Sequence, residues 1–126
     1  IIGPNGLDFS NDTLYVAELG NDSILGGLTL IEFDGERIVY DRLMYNIGYL
    51  DGLFHLNDDI YFTDWVSFNE NEKVAKIRKF NLQTRKITDM ETPEMSGCAD
   101  IFYDKKNNRI ITPLMNENKL IFLPIK

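Results

Sequence analysis

One stretch of the chain comes back. "PNGLDFSNDTLYVAE" (residues 4–18) and "LDGLFHLNDDIYFTD" (residues 50–64) share one order of parts, about 46 residues apart. Each has a polar residue followed by Gly, a short apolar run, an Asn/Asp turn, and a second, aromatic-rich run. A third copy follows in "GCADIFYDKKNNRIITP". Leu7, Leu53 and Ile101 open the first run of each unit, and Leu14-Tyr15-Val16, Ile60-Tyr61-Phe62 and Ile110-Ile111-Thr112 form the second. A self-similar period of this length, with roughly four antiparallel strands per unit, is the spacing of β-propeller blades.

The local pattern agrees. Apolar positions alternate, β-branched and aromatic residues dominate them, and no segment shows helical spacing. Even "VAKIRKFNL" alternates at strand spacing and runs into the turn "NLQTRK". The pattern predicts strands over 6–10, 13–18, 28–33 and 37–42, then 52–56, 60–64, 73–80 and 85–90, and finally 99–103, 109–113 and 119–123. Asp34-Gly35 marks a tight hairpin, since such a pair tolerates positive φ. "SNDT", "LNDDI", "DKKNNR" and "MNENK" place Asn and Asp where their side chains bond the local backbone.

The expected fold class is therefore all-β: a partial propeller of about three antiparallel blades within one domain, 1–126, with repeat units at about 3–47, 48–96 and 97–126. The last unit has three strands and no fourth, and Pro124 would disrupt a longer ladder. A propeller closes with at least about four blades. The chain starts at Ile1, in a first strand, with no outer strand to lend. We therefore expect the C-terminal portion of a longer propeller. The alternative is a small open sheet protein whose copies pair to cover their edges.

Charge narrows the partners. With a net charge of −7 and a pI near 4.6, the chain gains nothing from a phosphate backbone, so nucleic acid is not an expected partner. No apolar run approaches the roughly 18 residues of a membrane helix, so no membrane partner is expected either. The single cysteine, Cys98, cannot form an internal disulfide. Nothing marks a compartment.

Asn5 precedes Gly6, and Asp51 precedes Gly52, at the same repeat position. In a propeller the innermost strand of each blade borders the central channel. The turns entering these strands would point an amide oxygen and a carboxylate at one mouth of it. Both are hard ligands for Ca²⁺, Mg²⁺ or Mn²⁺. The third unit has Ala99 there, which cannot ligate, with Asp100 next to it. Asn-Gly and Asp-Gly are also common turn pairs with no ligand at all. His55 and Trp65 read as packing residues, and Tyr15, Tyr61 and Phe62 as sheet core. Cys98 reads as a buried, inert thiol with no base beside it. The loops "ELGNDSILGG" and "VSFNENEK" join second to third strands and are the expected walls of a small-molecule pocket.

"PNGLDFSNDTLYVA" followed by "LDGLFHLNDDIYFTDW" resembles the senescence-marker-protein/gluconolactonase family of six-bladed propellers, in its later blades. "GCADIFYDKKNNRIITPLMNENKLIFLPI" is similar to the closing unit of many bacterial members. The resemblance implies a divalent cation on the channel axis, with Ca²⁺ as first choice and Mg²⁺, Mn²⁺ or Zn²⁺ as others. The family's "NGL" Asn falls on Asn5. Its "DG" Asp falls on Asp51, which is also the family's proposed general base. The Glu and second Asn of the family's ligand set belong to earlier blades that this sequence lacks. The implied activity is opening of a sugar-type lactone, completed by those blades. The rival is a non-catalytic, NHL-like propeller that binds a ligand or protein, since related propellers share the "GL…LYVA" skeleton.

Overall fold

The computed structural model describes residues Ile1–Lys126. Eleven strands form three antiparallel sheets in chain order. The first holds β1 (Pro4–Ser10), β2 (Thr13–Glu18), β3 (Gly26–Asp34) and β4 (Arg37–Gly48). The second holds β5 (Leu50–Leu56), β6 (Asp59–Asp64), β7 (Lys76–Asn81) and β8 (Ile87–Asp89). The third holds β9 (Phe102–Asp104), β10 (Arg109–Leu114) and β11 (Lys119–Pro124). The only helical turn is a 3₁₀ segment, Met115–Glu117, within the predicted "MNENK" turn. This is the expected all-β, partial-propeller architecture.

Each sheet is an up-and-down meander because its turns are short and chemically suited. Asn11 and Asp12 both take positive φ between the paired residues Ser10 and Thr13, the geometry of a two-residue I′ hairpin. The Asp34-Gly35 hairpin sits one residue later than predicted. Asp34 pairs with Arg37, so the loop is Gly35-Glu36, with the positive φ on Gly35.

The sheets pack face to face in sequence. One apolar cluster joins Tyr15, Ala17 and Leu28 of the first sheet to Leu53, Ile60, Phe62 and Phe80 of the second. Another joins Phe54, Tyr61 and Ile77 of the second to Ile101, Ile110 and Leu114 of the third. The middle sheet is thus buried on both faces, which is why both of its residue sets are apolar. The outward face of the first sheet instead leaves Leu7 60% and Phe9 59% exposed, and the third sheet leaves Phe102 64% and Phe122 50% exposed.

Several strand bounds differ from expectation for identifiable reasons. β4 runs on to Gly48 because Gly26 pairs with it past two register shifts. β7 starts at Lys76, since Ala75 bonds to Met95 in the connecting loop instead. β8 is only Ile87–Asp89, because Arg85 has φ 57 and ends a turn. β9 is shortened from 99–103 to Phe102–Asp104, with Cys98 left as an isolated bridge to Leu114.

Candidate metal and ligand site

Asn5 and Asp51 do not lie in turns entering the inner strands, as the sequence suggested. They lie inside the strands, at β-bulges. Pro4 pairs with Glu18 and Leu7 with Val16, so β1 spends one residue more than β2 over that interval. Leu50 pairs with Asp64 and Leu53 with Phe62, repeating the excess in β5. The third unit has it too, between the Cys98–Leu114 bridge and the Phe102–Ile111 pair. A bulge bends its strand and re-aims a side chain, and such kinks gather next to binding sites.

The glycines explain how neighbouring bulges meet. A Cβ on Gly6 would collide with the Asp51 carbonyl oxygen, and one on Gly52 with the backbone of Asp100 and Ile101. The inner strands therefore touch backbone to backbone here, with Gly6 against the backbone of Asp51 and Gly52. Ala99 fills the third position, as expected. Asp100 turns its Oδ1 back to accept from the Ile101 N–H, at 2.8 Å.

The two candidate ligands differ in setting. Asn5 is exposed. Asp51 is half-buried, and its Oδ2 accepts a hydrogen bond from Trp65 Nε1 at 3.0 Å. Burial pushes the Asp51 carboxyl above the usual carboxylate range, against the Trp65 hydrogen bond, and the charge of Asp100 adds to the rise. No lysine or arginine pairs with it. A desolvated carboxylate with no cationic partner, and an amide at the matched position of the adjoining strand, are donor types that suit a hard divalent cation. The fit is partial, because no group of three or more His, Cys, Asp or Glu gathers anywhere in the chain. Asn5 and Asp51 would supply at most two donors to such an ion, fewer than a coordination sphere needs.

Trp65 is more than the packing residue predicted. It is buried, but its indole N–H orients the candidate carboxylate. Its ring also meets Phe68 at 5.4 Å between centroids, and Phe68 meets Tyr49 at 4.7 Å. Cys98 behaves as expected. Desolvation pushes its thiol up to about 12, and its Sγ lies 3.4 Å from the Lys76 carbonyl oxygen. His55 is half-buried, stacks on Tyr15 at 4.6 Å and has its backbone N–H held by Asp8 at 2.7 Å.

Two residues escaped the sequence reading. Glu18 is fully buried and accepts hydrogen bonds from the Ile2 N–H (2.7 Å), Thr29 Oγ1 (2.6 Å) and Arg42 Nη2 (2.9 Å). Asp64, at the same repeat position, accepts from the N–H groups of Tyr49 (3.0 Å) and Val66 (2.9 Å) and from Arg78 Nη1 (3.2 Å). Each acid ties the segment leading into an inner strand to the end of the second strand, just below the bulge. Their signal was visible: both "LYVAE" and "IYFTD" end in an acid at matched positions.

Between the first two sheets, at the Asp51 end, lies a cleft of about 240 Å³. It is lined by Leu19, Gly20, Asn21 and Asp22 from one loop, and by Tyr49 and Phe68. Both loops expected to form a pocket contribute to it.

No family model matches the sequence, and no curated protein is significantly similar to it. Solved structures do match. One is a gluconolactonase from Xanthomonas campestris, with a TM-score of 0.72 at 17% identity. The likeness is one of fold. The alignment covers 100% of this chain and 39% of that one, so the chain spans well under half the length of its structural neighbour.

Proposed function

We propose that this chain forms later blades of a metal-dependent hydrolase of the gluconolactonase type, which opens a sugar-type lactone. The observation that carries the reading is the pair of matched bulges. They set an amide with no hydrogen bond and a desolvated carboxylate with no cationic partner at matched positions of adjoining inner strands, in a fold shared with a gluconolactonase. Further blades, six in all as the family resemblance implies, would cover the apolar outer faces around Leu7 and Phe122. They would also supply the missing ligands.

Asn5 Oδ1 and the Asp51 carboxylate would hold the divalent cation, with Ca²⁺ as first choice and Mg²⁺, Mn²⁺ or Zn²⁺ as others. When bound, it supplies Lewis-acid polarisation of the lactone carbonyl. Asp51 takes a proton from water as the water oxygen bonds to the carbonyl carbon. The ring C–O bond then breaks, and the proton passes to the departing alkoxide, giving a hydroxy acid. Trp65 holds the carboxylate in position through Oδ2. Burial holds the Asp51 carboxyl above the usual carboxylate range in the metal-free chain, and a bound cation would favour its ionised, basic form.

The test is metal-dependent thermal stabilisation and lactone hydrolysis in the full-length protein. Asp51→Asn should cut hydrolysis by about 10³-fold. Asn5→Ala should remove the stabilisation by Ca²⁺ or Mn²⁺. Unchanged turnover in Asp51→Asn would sink the reading. A second reading, a propeller that only binds, is favoured by Ala99 at the third ligand position and by the incomplete donor set. Hydrolysis absent in the full-length wild type would select it.

A further inference from the structure

The longest strand, β4, lies at an open edge. It stands last in the first sheet and pairs only with β3. Its C-terminal half closes that edge from within the chain. Leu43 bulges between the Thr29–Arg42 and Leu28–Met44 pairs, and Arg85 Nη2 donates to the Leu43 carbonyl at 3.1 Å. The stretch before the bulge stays open. Ile38, Val39 and Tyr40 are exposed there, Tyr40 by 62%. An open edge bearing β-branched and aromatic side chains is a template for another strand. The other sheets offer nothing equivalent. β8 is only 3 residues long, and β11 carries no acid to match its lysine and ends on Pro124, which has no N–H to give.

We propose that two copies of this chain join through β4, edge to edge and antiparallel, about a two-fold axis at Val39. Backbone geometry restricts the register. Asp34 and Arg37 flank a two-residue hairpin loop, so they form a hydrogen-bonded pair. Alternation from there turns the N–H and C=O groups of Ile38, Tyr40 and Arg42 outward, away from β3. Outward residues must face outward residues across the new contact. With Val39 facing itself, Ile38 meets Tyr40 of the second copy and Arg37 meets its Asp41. Glu36 falls opposite Arg42 at each end. Sliding by one pleat in one direction sets Val39 against Asp41 and Ile38 against Arg42. Sliding the other way sets Arg37 against Val39. Only the first register puts acid against base, and opposite charges across a ladder stabilise it. Arg37 and Asp41 are exposed and enter no ion pair within the chain, so both are available. Glu36 and Asp41 balance Arg37 and Arg42, so this strip is neutral on a chain of net charge −7, and two copies can approach along it. The same patch serves both partners, as a two-fold contact requires. The proposal does not rest on the hydrolase reading.

Sedimentation velocity of the full-length protein, from about 1 to 100 μM, tests it. The wild type should shift from monomer toward dimer as concentration rises. Asp41→Lys and Arg37→Glu each set like charges opposite one another on both sides of the axis. Each should weaken the dimer by about tenfold. Mixing these two variants should restore association, because each copy then meets its opposite, and the double variant should recover it alone. Tyr40→Pro removes an outward N–H without touching the β3 ladder and should abolish the dimer. Arg37 and Asp41 are exposed, so circular dichroism should show the charge variants folded even where the proline variant is not. A wild type that stays monomeric throughout would overturn the proposal. So would a dimer that both charge variants leave unchanged, or charge variants that dissociate and do not recover on mixing.

Discussion

The first and second sheets carry the same positions in different surroundings. Leu53 is 5% exposed and its counterpart Leu7 is 60% exposed. Asp51 is half-buried and hydrogen-bonded, whereas Asn5 is exposed. The backbone bulge is the same in both. Burial in this fold is therefore not a property of a sheet but of its neighbour. The second sheet is covered on the Leu53 face by the first, while the first has nothing in this chain on the matching face. The lesson for chemistry is that bulge geometry is set within a blade, whereas the electrostatic character of the residue at the bulge is set between blades.

The largest effect expected of that comparison concerns the two buried acids. Asp64→Ala should leave the Tyr49 and Val66 N–H groups without their acceptor and free the segment before β5, while Arg78 keeps Asp89. The cost should be about 3–5 kcal/mol in urea unfolding, the sum over the groups left unsatisfied. Glu18→Ala should cost less, because Arg42 is more exposed and water can replace the lost partner. Equal losses would break the view that neighbouring sheets decide the difference.

The paired leucines give the next test. Leu53→Ala should cost about 2–5 kcal/mol as a buried cavity. Leu7→Ala in the 126-residue chain should stay within about 0.5 kcal/mol. A Leu7 substitution that proved costly only in the full-length protein would sharpen the comparison, because it would show a further blade seated on that face.

The smallest effect is a sign rather than a size. Folding raises the Asp51 pKa above its ordinary value of 3.8, mainly by desolvation. The folded state therefore favours the protonated form, and ionisation subtracts from stability as pH rises from that value through the raised one. Asp51→Asn should raise the melting temperature at pH 7 by no more than a few degrees, since a half-exposed carboxylate is partly screened. The gain should fade below pH 4. A lowered melting temperature would mean that Trp65 holds the carboxylate more strongly than burial opposes it.

The repeat made most of the architecture legible. Alternation located all eleven strands, and the Asn/Asp turns located the hairpins. What alternation could not reveal is register. A bulge is a mismatch between two strands, and Asn5-Gly6 reads alike whether it precedes a strand or kinks one. The candidate site was proposed from the sequence as a pair of positions, Asn5 and Asp51, because each is followed by glycine. Their unequal surroundings were not, because the Trp65 contact with Asp51 depends on how the bulge turns the carboxylate. Glu18 and Asp64 were visible as a matched pair of acids but not as buried ones: an acid at a strand end usually begins a solvated turn, and only packing shows that these two point inward.

The glycine contacts between inner strands have a consequence for assembly. Gly6 lets the second inner strand come close, and Gly52 does the same for the third. The third strand offers Asp100 at the corresponding place, a residue with a side chain and a charge. The close backbone approach that joins these sheets is thus confined to the two contacts made by Gly6 and Gly52, and the third inner strand turns a Cβ and a charge to whatever lies beyond it.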